Sequence, residues 1–297
     1  MSDLEFSERP QLRRSILIAA FSGWPDASEA ATGAIKFLIN ALSASQFARI
    51  DAEEFFDFTK LRPDISIGAN DRRVIDWPTN YFYYVKHQES DGRDIILLNG
   101  AEPHLKWKRF AKQMMQIITD TNVDAFILLG AQLDAVPHTR APRITSSATN
   151  EPLSDGFDEI EFGPSTYEGP TAASSIILEY LADRDIPSLS IWGHAPHYLQ
   201  ASSNPELTHA ILSTLRTLLP IELDLSDLEH EAAEFSRNVD VALRDETEVS
   251  AYVQRLEKRF DSEIRRTEET NDFNDVIQDL EGFLKRSRQP GSNQGDN

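Results

Sequence analysis

The run Phe-Ile-Leu-Leu-Gly-Ala-Gln-Leu-Asp-Ala-Val-Pro-His-Thr-Arg, from Phe126 to Arg140, constrains the fold of this chain more than any other. It opens with the short apolar stretch of a buried strand and is read as breaking at Gly130. It then delivers Asp134, His138, Thr139 and Arg140 into a proline-bounded loop. A buried strand that ends in a polar loop is where an α/β protein places a binding site.

The remaining periodicities fit that frame. Ser15 to Phe21 reads as a second buried strand, turned by Gly23-Trp-Pro-Asp26 into a helix over Ala27–Leu42. Strands are expected at Ala48–Phe58, Arg72–Trp77, Tyr81–Val85 and Asp94–Leu98, with a hairpin turn at His87–Gly92. A helix over Pro103–Thr121 leads into the strand Asp124–Leu129, and Ile144–Ala148 forms a further strand. After a loop from Asn150 to Thr166, Gly169-Pro170 launches a helix to Ala182. Pro187–Trp192 is a strand, His194–Asn204 a loop and Pro205–Leu219 a helix. The pattern predicts a three-layer α/β/α domain with a mixed sheet over residues 1–222.

Beyond Pro220 the strand signals stop. Ser226-Asp-Leu-Glu229 has the form of a capping box, and two amphipathic segments follow through Ile264. A third stripe runs over Phe273, Ile277, Leu280 and Leu284. This defines a C-terminal helical appendage, 223–287, and a disordered tail, 288–297. Each helix has one apolar stripe, which must lie on the core, on its neighbour or on another subunit.

Composition narrows the function classes. Of the net charge of −20, half falls on residues 221–297, which hold 20 acidic and 10 basic side chains. Such a surface repels phosphate backbones and anionic lipid, so nucleic-acid and membrane partners are not expected. Cysteine is absent, which removes disulfides, thiolate metal sites and a cysteine nucleophile. With no signal peptide or membrane-spanning stretch in the sequence, a cytoplasmic location is expected.

Loops that follow the carboxyl ends of strands meet at one sheet edge. Here they supply Asp26, Glu102, His138, Arg140, His194 and His197, with Glu168 in the turn before a helix. Carboxylates beside imidazoles suit acid–base work, and equally suit hydrogen bonds that brace irregular loops. Pro196 argues against a helical His194/His197 metal pair, and no His-Glu-x-x-His motif occurs, so no metal and no cofactor are expected. No Gly-x-Ser-x-Gly, P-loop or dinucleotide fingerprint is present.

Several blocks, taken together and in order, resemble the PAC2 family of proteasome-assembly-chaperone-2-like proteins, in its actinobacterial branch. They are Gly23-Trp-Pro-Asp26, Arg62-Pro63, Asp76-Trp-Pro78, Gly100-Ala-Glu-Pro103 and Gly130 to Arg140, then Tyr167-Glu-Gly-Pro-Thr171 and Ile191-Trp-Gly-His-Ala-Pro-His-Tyr198. The resemblance implies a phosphorylase/hydrolase-like fold, an assembly-chaperone role and self-association as a homo-oligomer, a trimer being one form; it carries no catalytic residues over. Two functions stay open on the residues alone. One is an oligomeric protein-interaction module that needs no catalysis, favoured because no catalytic motif appears. The other is a hydrolase or phosphorylase for an anionic or nucleoside-like ligand, working at the sheet edge through Glu102, His138, Arg140, Glu168 and His194.

Overall fold

A computed structural model describes residues 3–68, 71–87, 92–148, 168–199, 203–219, 221–244 and 246–266. The first half of these builds β1 (Leu4–Phe6), β2 (Ser15–Ser22), α1 (Ala30–Ala41), β3 (Ser45–Ile50), β4 (Asp64–Ile67), β5 (Arg73–Asp76), β6 (Asn80–Val85) and β7 (Ile95–Ala101). The second half builds α2 (Trp107–Asp120), β8 (Val123–Asp134), β9 (Ile144–Ala148), α3 (Ala173–Ala182), β10 (Ser188–Pro196), α4 (Pro205–Leu218) and α5 (Ser226–Leu243). A further helix, α6, occupies 247–266.

Eight strands form one mixed sheet in the order β1-β3-β6-β7-β2-β8-β10-β9. Its centre, β7-β2-β8-β10, is parallel; β6, β3 and β1 on one side and β9 on the other run antiparallel to their neighbours. Parallel strands need cover on both faces, and the sequence of β2 provides for it. Its alternate residues Leu17, Ala19 and Phe21 face Phe110, Met114 and Ile177 of α2 and α3. Ile16, Ile18 and Ala20 face Ala34, Ile35, Leu207 and Ile211 of α1 and α4. The result is the expected three-layer α/β/α architecture. Leu223, Leu225 and Leu228, at the start of the C-terminal segment, join the α1/α4 core, so α5 is seated on the domain.

Several boundaries differ from the sequence reading, each for a physical reason. β8 does not break at Gly130 but continues to Asp134, because β10 pairs beside it residue for residue, from Phe126–Ser188 to Asp134–Pro196. Gly130 serves that pairing: a Cβ there would lie 2.7 Å from the Trp192 ring. His194 therefore belongs to a strand and not to a loop. The strand expected over Ala48–Phe58 stops at Ile50; Phe55 is buried from the following turn, its ring 5.4 Å from Phe110. β5 leaves the main sheet and pairs with β4 alone. The capping box does not form, since Leu225 precedes α5 and the Ser226 hydroxyl bonds Asp224 instead. The expected β6–β7 hairpin forms. Part of its turn, the whole loop over Asn150–Thr166, the stripe over Phe273–Leu284 and the tail 288–297 lie outside the described residues.

Candidate functional site

The ends of β8 and β10 place Asp134 and His194 side by side. The Asp134 carboxylate accepts from Nδ1 of His194 at 2.8 Å and from the backbone N–H of Ala135 at 2.6 Å. On its far side, Nε2 of His194 lies 2.9 Å from the Thr145 hydroxyl on β9. With Nδ1–H donating to the carboxylate, Nε2 is the acceptor of the neutral ring. Burial lowers the His194 pKa below its ordinary value despite the Asp134 charge. Burial pushes the Asp134 carboxyl up, but the hydrogen bonds from His194 and Ala135 outweigh it and the net shift is downward.

The loop beyond Asp134 is held by the C-terminal helices. His138 has Nδ1 2.6 Å from the Tyr198 hydroxyl, which also accepts from the His138 backbone N–H at 2.8 Å. Nε2 of His138 lies 3.4 Å from Asp240 of α5. Burial lowers the His138 pKa and pushes the Tyr198 phenol up to about 12. Arg140 makes a two-pronged ion pair with Asp261 of α6, both contacts at 2.9 Å, and a third contact with Glu257 at 3.1 Å. Arg143 pairs with Glu263 at 2.8 Å and stacks over Phe260. His197 bonds the Asp134 carbonyl at 2.9 Å and faces the Tyr252 hydroxyl at 3.2 Å. Val253, Leu256 and Phe260 are buried beneath these polar contacts. The space left among His138, Arg140, His194, Glu206 and Phe235 is about 20 Å³, room for roughly one water.

The other candidate residues stand apart from this cluster. Asp26 is buried at the start of α1, where it accepts from the Ala31 N–H at 2.8 Å and from the Thr32 hydroxyl. Burial raises its pKa against those hydrogen bonds. Glu102, just past β7, accepts from the Ala173 N–H at the start of α3 at 2.8 Å, and burial raises its pKa as well. Both satisfy helix N-termini. Glu168 is exposed and makes no ion pair among the described residues. The expected single convergence is thus two groupings: His138, Arg140, His194 and His197 at one end, Asp26 and Glu102 at helix starts. No three metal-ligating side chains converge among the described residues.

The site residues that the sequence does not single out are Thr145, Asp240, Glu257 and Asp261; Tyr198 stands there only within a family block, and Asp134 only as a loop residue. One signal was available. Glu257 and Asp261 are four apart and lie on one face of a helix, pointing to a single cationic partner. Thr145 required the strand register, which the sequence does not display.

A family model for the PAC2 family matches residues 20–243. The chain belongs to the PAC2 family. A PAC2 family protein from Streptomyces avermitilis is 31% identical, with a TM-score of 0.73, covering 80% of this chain and 99% of that one. A proteasome-assembly chaperone homologue from Mycobacterium tuberculosis is also 31% identical, with a TM-score of 0.70 and the same coverage. A second M. tuberculosis protein is 30% identical, with a TM-score of 0.75, covering 88% of this chain and 91% of that one. No curated protein matches the chain. Among PAC2 features, the C-terminal helices grip the block Gly130 to Arg140 through His138 and Arg140, and the block Ile191 to Tyr198 through His197. No helix among the described residues is long and apolar enough to cross a membrane.

Proposed function

We propose that this PAC2 protein is an assembly-chaperone-like module that acts by contact with other proteins and not by catalysis. One observation carries the reading. At the sheet edge His138, Arg140 and His194 are engaged by partners within the chain, and α5 leaves room beside them for roughly one water. The similarity to a proteasome-assembly chaperone homologue supports the same class and makes proteasome subunits the first partners to test. His138, Arg140, His194 and His197 then work as braces that fix the loop and seat the C-terminal helices. Asp26 and Glu102 hold helix starts. Purified protein mixed with proteasome subunits should form a complex on a sizing column and change the yield of assembled particle. No complex and an unchanged yield would sink the reading.

A second reading is favoured by the Asp134–His194–Thr145 relay, whose distances of 2.8 and 2.9 Å match a carboxylate–imidazole–hydroxyl series. In it, Nε2 of His194 accepts the Thr145 proton as the hydroxyl oxygen attacks an ester or similar acyl group, and the proton then passes to the leaving group. Turnover of p-nitrophenyl esters that disappears in Thr145→Ala and survives in Thr145→Ser would establish it. Equal rates in wild type and Thr145→Ala would dispose of it.

A further inference from the structure

The ribbon β4–β5 is built unlike anything else in the fold. Its register, Ile65 opposite Ile75 and Ile67 opposite Arg73, puts Ile65, Ile67, Ile75 and Arg73 on one face. Asp64, Ser66, Val74 and Asp76 take the other. The first face is apolar and lies in water: Ile65 is 63% exposed, Ile67 74% and Ile75 51%. A two-stranded ribbon is marginal by itself, and an apolar face of this kind marks a contact surface. At its outer end stand Arg72 and Arg73, both exposed, neither in an ion pair among the described residues.

At the base of the ribbon the chain offers the opposite chemistry. A cleft of about 330 Å³ opens between Asp51, Glu53, Arg49, Trp77 and Thr79. Trp77 is 46% exposed, its ring held edge-on by Phe58 at 4.8 Å. Glu53 has an exposed side chain, and Asp51 accepts from the Glu53 backbone N–H at 2.9 Å. Arg49 also lines the cleft, but Glu5 takes its guanidinium at 2.7 Å. Two carboxylates beside an open indole face form a receptor for a guanidinium, by charge and by cation–π stacking. The four-residue strands of the ribbon carry Arg73 about 10 Å from this base, and neither Arg72 nor Arg73 lines the cleft of its own copy.

We propose that the occupant of the ribbon surface is a second copy of this chain. Arg72 and Arg73 of one copy enter the Asp51/Glu53/Trp77 cleft of the next, and the Ile65/Ile67/Ile75 face is covered in the process. The argument is charge complementarity: the exposed arginines sit on an arm of a chain whose net charge is −20, and the cleft that suits them lies on the same chain. A contact of this type is self-sufficient, since every copy carries both an arm and a cleft; made reciprocally it closes a dimer, and head to tail it makes a ring when the rotation between copies closes and a filament when it does not. The inference deepens the reading of the chain as a protein-contact module by naming one surface and its partner. It fails separately from that reading, because it is tested by the mass of the purified chain and not by capture of another protein.

The test is sedimentation or light-scattering mass of the full chain over a range of concentrations. Wild type should be an oligomer. Arg72→Glu with Arg73→Glu should weaken association by at least about tenfold and make it insensitive to salt. Asp51→Arg with Glu53→Arg should do the same. The four changes combined in one chain should restore the oligomer, an outcome that a folding defect does not produce. Ile65→Asp with Ile67→Asp should give a monomer, with an unchanged far-ultraviolet spectrum showing that the domain stays folded. A wild type that is monomeric throughout overturns the proposal. So does an oligomer that survives both the arm and the isoleucine variants, or a four-fold variant that stays apart.

Discussion

β2 and the β4–β5 ribbon are written in similar residues and meet opposite fates. In β2, all but the last side chain are buried, because α1 and α4 cover one face and α2 and α3 the other. In the ribbon every side chain is exposed, although Ile65, Ile67, Val74 and Ile75 have the same β-branched chemistry as Ile16 and Ile18. Strand propensity is alike in both; what differs is whether the chain supplies cover. Apolar residues that the chain covers contribute to its own stability, and those left in water are available to a partner.

Paired truncations separate the two strands most clearly. Leu17→Ala in β2 should cost about 2–5 kcal/mol of unfolding free energy, by loss of buried methyl groups and the cavity left behind. Ile67→Ala in the ribbon should stay within about 0.5 kcal/mol for the isolated chain. Urea titration of both, at a concentration too low for association, reads the difference; equal losses would mean that the ribbon is part of the core. Next in size, Asp26→Ala should cost about 1–3 kcal/mol, because it strips the Ala31 N–H and the Thr32 hydroxyl of a buried acceptor. A loss much smaller than that would show that the helix start is satisfied in another way.

The pH dependence is a smaller effect with a defined sign. Burial holds His138 and His194 below the ordinary value of 6.5. As pH falls through 6.5 the unfolded chain therefore takes up protons before the folded one. Stability is full above 6.5 and declines below it, until the folded imidazoles are protonated too. His194→Gln should flatten part of this slope in melting temperature between neutral and mildly acidic pH, and a wild-type slope of the opposite sign would contradict the burial. Smallest of all is Arg140→Ala, whose ion pairs with Asp261 and Glu257 are open to solvent. Its melting temperature should hardly move, while hydrogen exchange across α6 should quicken, more so at low salt. Unchanged exchange would mean that Val253, Leu256 and Phe260 hold the helix without the arginine.

Much of the fold was legible in the sequence wherever one periodicity dominated. Ser15–Phe21 and the helix after it, the β6–β7 pairing and the three-layer architecture follow from apolar spacing alone. The reading faltered where neighbours decide the outcome. β8 runs past Gly130 only because β10 pairs with it, and Phe55 looks like strand until Phe110 claims it from a turn. The candidate site was half legible for the same reason. His138, Arg140, His194 and His197 were marked by their place after strands and do gather, but Asp26 and Glu102 answer to the nearest helix start. Thr145 and the acidic face of α6 enter only through register and long-range docking.

The strand order also sets a schedule for the newborn chain. β2 sits at the centre of the sheet, yet both its neighbours, β7 and β8, lie far downstream. Leu17 and its partner Phe126 are separated by 109 residues. At about 5–20 residues per second of synthesis, the most apolar strand of the first half waits roughly 5–20 seconds for the last of its neighbours. Until β7 emerges it is held only by local contact with α1, and until β8 emerges its other edge stays unpaired, in the slow, non-local regime of parallel sheets. A protein of the class proposed to shepherd others into assembly thus has an exposed interval of its own to survive.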